Sequence, residues 1–300
     1  MTSISPSPTA AFAKEGVFFM LGKKCPYCGS ERTKANGSSR RLCKSCGRSF
    51  RASTSTVMSS MKLDRERFRK MANLMLNDVK LEAIIDSVGI SSRTAYVWRM
   101  KVFAAAFEMQ KSTMLSGKCW IDEALVPVND GICFRFGDGR KPRGVSRNQA
   151  VIACAVDSSG NRIALEAGRG HITSAACVRT YGAHIAKGSL VVHDGIFSHD
   201  RLIRFLESPD EVCKSTTRDA HPKLQPVNSL IAELKHFLRC HVGIRTEYLG
   251  LYAAWVAFKA SVREGKIEER IALLESYCFQ TRATFRVKDR YDRKKRATVL

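Results

Sequence analysis

Trp120-Ile121-Asp122-Glu123-Ala124-Leu125-Val126 sets two acids inside an apolar, strand-like run. A second run, Leu190-Val191-Val192-His193-Asp194-Gly195, ends on another acid followed by a turn glycine. A carboxylate in an apolar strand is costly to bury unless it is paired or bound to a cation. Asp122 and Asp194 on adjacent strands would make an oxygen-rich site suited to magnesium, although either residue alone is equally well read as an ordinary strand or turn acid. Around them, the short runs Cys119–Val126, Ala150–Val156, Arg162–Ala167 and Ser189–His193 are separated by Gly, Asp and Asn turn signals. Helical patterns follow at 174–186, 199–207 and 227–241. Three strands followed by alternating helices and strands predict a mixed α/β domain over 117–260.

The helix predicted over 227–241 has two distinct faces. At about 100° per residue, Leu230, Ile231, Leu234, Phe237 and Leu238 fall on one side, while Asn228, Lys235 and Arg239 fall within about 40° of one another on the other. Any surface helix has a polar face. A neutral oxygen donor with two cations on one stripe, 34 residues after Asp194, also suits the edge of a phosphate-handling site. Glu233 lies about 140° from Asn228 on the same wheel and does not share that stripe.

Toward the N-terminus, Cys25-Pro-Tyr-Cys28 and Cys43-Lys-Ser-Cys46 are two C-x-x-C pairs separated by fourteen residues. Tetrahedral zinc takes four soft ligands, and each knuckle supplies two, with Gly29 and Gly47 following where the chain must bend. Residues 23–53 have almost no core in which to bury thiols, so the spacing predicts a zinc ribbon with structural zinc. Residues 1–22 begin with Ser/Pro/Thr-rich sequence and read as a mobile segment. Residues 1–60 carry a net charge of +8, which favours DNA contact over a purely structural role.

Residues 60–112 read as a helix-turn-helix DNA-binding domain. Phe68, Met71, Ala72 and Met75 form one apolar stripe, and Leu81, Ile84, Ile85 and Val88 another. Gly89 marks a tight turn, and Ser91 is an N-cap for Ser92–Phe103. Ala95, Trp98 and Val102 would face inward, leaving Arg93 and Tyr96 to enter a major groove. Met100 also falls on the outward side of that wheel. A small helical bundle shows the same spacing.

Composition narrows the classes. The 300 residues carry 50 Lys+Arg against 28 Asp+Glu, a formal charge of +22 that suits a polyanionic partner. The most apolar stretch, Tyr248 to Phe258, is shorter than the roughly 18 residues of a spanning helix. Glu15 before the apolar patch Val17–Met20, with Lys23 and Lys24 after it, is the wrong order for a secretory signal peptide. The chain is expected in the cytoplasm. Four of its eleven cysteines form the two pairs and seven are scattered singly, which suits metal plus buried thiols rather than disulfides. Residues 261–300 read as a basic C-terminal extension, the last 22 carrying +6.

The C-x-x-C pairs, the helix-turn-helix, Ile121-Asp122-Glu123, Arg143-Gly-Val-Ser-Arg-Asn148, His193-Asp-Gly-x-x-Ser-His199, and Val227-Asn-Ser-Leu followed by Leu234-Lys-x-Phe-Leu238 occur in that order. Over about residues 23–258, together they resemble transposases of bacterial insertion sequences of the ISXO-type group (the IS-fifteen-ninety-five group). The similar branch is the one whose triad is Asp-Asp-Asn followed by Lys. The resemblance implies a ribonuclease-H-like catalytic domain, with Asp122, Asp194 and Asn228 binding magnesium or manganese and Lys235 as the accompanying basic residue. It implies double-stranded DNA, both transposon ends and target, as substrate, and a homodimer or higher assembly on that DNA. Two ions roughly 3.5–4 Å apart would activate water for strand cleavage, and the freed 3′-hydroxyl would attack a target phosphate. Relatives often carry Glu at the third position. Asn removes one charge while keeping a carbonyl ligand.

His193 and His199 read as orienting or packing around the Asp194 turn, since His is a poorer magnesium ligand than a carboxylate. Glu123 should point to the sheet face opposite Asp122. Arg140, Lys141, Arg143 and Arg147 lie on a hairpin-like excursion that could hold DNA phosphates, with a solvated loop as the competing reading. A nuclease that cuts without joining, or a zinc-ribbon regulator or inactive domesticated transposase, remain alternatives to a transposase.

Overall fold

The computed structural model describes residues 24–59, 61, 63–128, 133–214, 220–241 and 243–282. They fall into two compact units, one from the residues up to 108 together with those from 264 onward, the other from 109–263. The mobile segment expected over 1–22 and residues 283–300 of the basic extension lie outside the described residues.

In the first unit, β1 (Thr33–Ala35), β2 (Arg41–Cys43) and β3 (Ser49–Phe50) form a small antiparallel sheet in the order β1-β2-β3. Among the described residues its apolar cluster is Cys25, Cys43 and Phe50, too small to hold a sheet without a cross-link. Helix α1 (Arg65–Leu76) follows, N-capped by the Asp64 carboxylate, which accepts from the Arg67 N–H. α2 (Leu81–Val88) ends at Gly89. α3 (Ser92–Ser112) begins where the Ser91 hydroxyl accepts from the Thr94 N–H at 3.2 Å. Phe68 of α1 meets Trp98 of α3 edge-to-face, with ring centroids 5.6 Å apart. Ala95, Trp98 and Val102 are buried as their spacing predicts. Met100, expected to face outward, is buried too, because α3 is enclosed on more than one side and also buries Phe103, Ala104 and Ala106.

The stretch read as a basic extension contains a helix, α9 (Ile267–Gln280), which packs on α1. Glu275 on its inner side is only 6% exposed and is held by Arg65 Nε at 2.7 Å and Arg69 Nη1 at 3.2 Å. A positive tail count masks this helix, whose own first turn is acidic with Glu268 and Glu269.

The second unit is built on a five-stranded sheet of order β6-β5-β4-β7-β8. Its strands are β4 (Lys118–Pro127), β5 (Gln149–Asp157), β6 (Arg162–Arg169), β7 (Leu190–His193) and β8 (Asp210–Val212). β4, β5 and β6 pair antiparallel, whereas β7 runs parallel to β4 and β8 parallel to β7. β5 is buried from Ala150 through Asp157, the continuous apolar pattern of a strand covered on both faces. Helices α4 (Ser174–Tyr181) and α5 (Phe197–Leu206) cover one face, where Ile121, Ala153 and Val191 pack against Cys177, Tyr181 and Leu202. After α6 (Ala220–Lys223), α7 (Gln225–Arg239) lies against β4 and β5, and α8 (Leu249–Ser261) against β6. The fold is ribonuclease-H-like: a mixed five-stranded sheet flanked by helices, preceded in the chain by a four-cysteine cluster.

The Tyr248–Phe258 run is the buried helix α8, and among the described residues no helix is long and apolar enough to cross a membrane. In the second unit strands were expected within a residue or two of where they lie, except β8, whose Asp-Glu-Val has no apolar pattern to read; the short β1, β2 and β3 of the cysteine segment carry no such pattern either.

The α1–α9 clamp gives an asymmetric expectation. Arg65→Ala with Arg69→Ala strands a buried carboxylate and should cost about 3–5 kcal/mol. Glu275→Ala leaves two arginines that can turn to water and should cost nearer 1–2 kcal/mol. Urea midpoints of the two variants check the order.

Candidate active site

The position of Asp194 follows from strand pairing. β4 and β7 run parallel with Lys118 beside Leu190 and Trp120 beside Val192. Two residues further along the same register, Asp122 stands beside Asp194. Asp122 also faces Cys154 across the antiparallel pair with β5. That row of β5 alternates with Val151, Ala153 and Ala155, which face α4 and α5, so Asp122 looks toward the α7 side. The chain turns after Asp194 at Gly195, whose φ of 85° and close neighbour admit no side chain: a Cβ there would meet Val212 Cγ1 at 2.7 Å. Ile196 N–H then donates to Asp194 Oδ1 at 3.1 Å, fixing the carboxylate at the mouth of α5.

Burial pushes the Asp122 carboxyl up to about 6, and the neighbouring Glu123 and Asp194 carboxylates add to it, against the Glu123 N–H that donates to Oδ1 at 2.8 Å. A carboxyl held up by burial and by neighbouring carboxylates is relieved by a divalent cation. The donor set is hard oxygen, which suits magnesium or manganese.

On the other sheet face a buried polar chain supports this corner. Glu123 is on that face, as strand alternation predicts, and its Oε1 accepts from Tyr181 Oη at 2.8 Å and lies 3.1 Å from His199 Nε2. His199 Nδ1 is 3.2 Å from His193 Nδ1 and 3.6 Å from Asp194 Oδ1. His193 Nε2 lies 3.4 Å from Asp210 Oδ2. Burial works against a charged His199, but the hydrogen bond and charge of Glu123 outweigh it and raise its pKa. Burial and the neighbouring His199 lower that of His193. A charged His199 donating from both nitrogens and a neutral His193 with its proton on Nε2 satisfy every ring nitrogen. Both histidines therefore orient the Asp194 turn, as the sequence suggests. Tyr181 and Asp210 were not read as site residues: Tyr181 looks like one more apolar helix position, and nothing in the sequence places Asp210 beside His193.

Asn228 is half-buried in the first turn of α7, the helix that lies on β4 and β5. Lys235, two turns on, is exposed, and its charge is felt at Cys154, the cross-strand partner of Asp122. Arg239 is exposed in the last turn of α7. Glu233 turns away to α8, where Lys259 Nζ lies 3.3 Å from it and Arg263 also pairs with it.

The excursion between β4 and β5 is a hairpin at its tip, with Phe136 N–H donating to the Arg140 carbonyl and Gly139 N–H to the Phe136 carbonyl, both at 2.9 Å. Arg140 is tied to Asp138 at 2.5 Å, whereas Lys141, Arg143 and Arg147 are exposed. In the first unit, Arg93 is exposed and Tyr96 is half-buried, with the Arg99 guanidinium 5.5 Å from its ring centroid.

The four sulfurs of Cys25, Cys28, Cys43 and Cys46 all lie within 4.8 Å of one another. Cys25 Sγ–Cys46 Sγ and Cys28 Sγ–Cys43 Sγ are 3.6 Å apart, close to the roughly 3.8 Å edge of a tetrahedron with Zn–S bonds of about 2.3 Å. N–H groups of Cys46 and Ser45 help draw the Cys43 thiol down to about 6. The Ser30 N–H pulls Cys28 the same way, but burial and the other three sulfurs push it up to about 12. Four thiols that cannot all ionise together are what a dication resolves, so the cluster fits structural zinc.

No family model and no curated protein matches the chain. Solved structures with some likeness include the simian T-cell lymphotropic virus intasome in complex with PP2A regulatory subunit B56 gamma, 9% identical over 62% of this chain and 67% of that one, with a TM-score of 0.32. The pre-cleavage Mos1 transpososome is 11% identical over 72% of this chain and 79% of that one, with a TM-score of 0.23. The Mos1 transposase paired-end complex with left transposon end is 12% identical over 69% and 77%, with a TM-score of 0.22. Likeness this distant carries no argument about activity.

Two outcomes are expected here. With a folded pKa near 6 against an ordinary 3.8, Asp122 stabilises the metal-free chain below about pH 4 and loses that contribution as pH rises through about 6. Urea midpoints of wild type should therefore fall against those of Asp122→Asn between these pH values, and parallel profiles would remove the burial argument. Purified chain should carry one zinc by elemental analysis, and Cys43→Ser should carry none.

Proposed function

We propose that the chain is a DNA transposase of an insertion sequence, of the kind its motif order resembles. It would bind terminal inverted repeats and catalyse metal-dependent strand cleavage and strand transfer. The observation that carries this reading is the β4–β7 register that brings Asp122 and Asp194 together at one corner of a ribonuclease-H-like sheet.

Asp122, Asp194 and Asn228 would hold magnesium or manganese, which when bound activates water and neutralises charge on the attacking and leaving oxygens of a phosphodiester. The chain's own residues bind and orient. Asp194 is aimed by its turn and by His199, and Asp122 is backed by Tyr181, which contacts its carbonyl oxygen at 3.1 Å. Lys235 and Arg239, on the exposed stripe of α7, would position a DNA phosphate, with Lys141, Arg143 and Arg147 along the excursion. No protein nucleophile is needed. The zinc ribbon and the helix-turn-helix, with Arg93 and Tyr96 at its outward face, would recognise the ends. Joining two DNA ends calls for a homodimer or larger assembly.

The test is a cleavage and joining assay on DNA carrying the repeats that flank the gene, with magnesium or manganese supplied. Wild type should nick the ends and join them to target. Asp122→Ala and Asp194→Ala should abolish both steps, and Asn228→Ala should lower them by about a hundredfold or more, with end binding kept in every variant. Cleavage without joining would make it a nuclease, and binding without cleavage by wild type would leave a regulator.

A further inference from the structure

Asp194 belongs to a second set of donor atoms, and that set is rich in nitrogen. The turn through Gly195 brings His199, in the first turn of α5, back against His193 at the end of β7. Their Nδ1 atoms lie 3.2 Å apart, and Asp194 Oδ1 is 3.6 Å from His199 Nδ1. One donor atom from each of the three residues falls within 4.8 Å of the other two. Donors on a tetrahedral ion with bonds of about 2.0–2.1 Å stand about 3.3–3.4 Å apart, so the two printed spacings bracket those around a bound ion.

The outer nitrogens give an independent reason. A ligating imidazole characteristically donates its other N–H to a carboxylate, which fixes the ring and makes the ligating nitrogen more basic. Both rings have that partner: His199 Nε2 lies 3.1 Å from Glu123 Oε1, and His193 Nε2 lies 3.4 Å from Asp210 Oδ2. Packing alone does not call for two rings, each backed by an acid, with their inner nitrogens turned toward one another and beside a third acid. Both histidines are buried, whereas Asp194 is half-buried and opens the group to solvent. In the metal-free chain the Gly195 N–H donates to His193 Nδ1 at 3.2 Å, and His199 keeps a proton on Nδ1. An incoming dication displaces that hydrogen bond and releases that proton.

Two imidazoles with one carboxylate select a borderline transition ion such as zinc over magnesium, which prefers oxygen. Three protein ligands leave a fourth position for water. Glu123, Cys177 and His199 form a neighbouring set, but burial and the Glu123 charge push the Cys177 thiol up to about 11, which sets a thiolate ligand at a disadvantage.

We propose that His193, Asp194 and His199 form a second metal site, for zinc or a similar borderline dication, sharing Asp194 with the hard-oxygen corner. Loading it holds Asp194 on the transition ion and so inhibits the corner, a consequence that rests on the reading of the corner as a strand-cleaving centre. Three ligands of this kind hold zinc more weakly than the four thiolates of the ribbon. The site therefore fills when zinc is added and empties on purification.

The test uses the full chain with its ribbon zinc, without DNA and in excess magnesium. Titration with zinc, read by calorimetry and by elemental analysis after equilibrium dialysis, should show one further equivalent. Cobalt added to the same chain should give the visible bands of a nitrogen- and oxygen-bound ion without thiolate-to-cobalt charge transfer, a readout on wild type that no folding defect can mimic. His193→Gln and Asp194→Asn should lose the further equivalent, and Asp210→Asn, at an exposed position, should weaken it by on the order of tenfold. Circular dichroism should be unchanged in each. Asp122→Asn should keep the further equivalent. No further equivalent, thiolate charge transfer, or loss of the equivalent in Asp122→Asn would overturn the proposal, the second by placing the ion on cysteine and the third by placing it in the oxygen corner. In the magnesium cleavage assay, added zinc should inhibit wild type. A chain that takes the further zinc yet never cuts would sink the catalytic reading alone, and one that cuts at full rate with the site loaded would sink the inhibition.

Discussion

The second unit depends on one constraint: two carboxylates, 72 residues apart in the chain, are brought side by side by the parallel pairing of β4 with β7. Like charges a few ångströms apart repel by about 1 kcal/mol in water and about 4 kcal/mol at an effective dielectric near 20. The pairing is nevertheless anchored by burial elsewhere. Val191 and Val192 of β7 and Cys119 and Ile121 of β4 are all completely buried, so the strands cannot slide to separate the acids without exposing that apolar surface. A shift of one residue would turn each side chain to the wrong face.

The opposite face supplies the counterweight. Glu123 and His199 put a buried ion pair beneath the corner, with Tyr181 on one side and His193 and Asp210 on the other. A buried pair of this kind adds little net stability, but it fixes geometry, because each polar atom must keep its partner or lose it inside the protein. His199 thus joins the strand that carries Asp122 to the turn that carries Asp194. The adjacent acid in the motif, Glu123, meets Tyr181 and His199 on the opposite sheet face, and the alternation of a strand is what turns the two acids apart.

Much of this was legible in the sequence because it depends on period and spacing. The apolar runs around Asp122 and Asp194 marked β4 and β7, the wheel of 227–241 separated Glu233 from Asn228, and the C-x-x-C pairs fixed the four-sulfur cluster. Contacts between distant segments were not legible. The clamp of Glu275 by Arg65 and Arg69 joins residues about two hundred positions apart, so the helix carrying Glu275 was hidden in a charge count. Met100 was misplaced for a related reason: a wheel ranks the sides of one helix, and neighbours that enclose a second side leave no local trace. β8 was missed because a three-residue edge strand with the sequence Asp-Glu-Val takes its order from β7 and not from its own pattern.

The positive charge of the chain stands against the acidity of this corner. Under the proposed function a strongly basic chain would draw in DNA, whereas the corner that carries Asp122 and Asp194 is locally acidic, and each phosphate brought there would add another negative charge. Exposed basic groups lie on two neighbouring segments: Lys235 and Arg239 along α7, and Lys141, Arg143 and Arg147 along the excursion. Under the proposed function these cations would hold the DNA backbone while the carboxylates bind metal. An acidic centre with exposed cations on the elements around it is the combination that would let one surface hold a polyanion and a dication together.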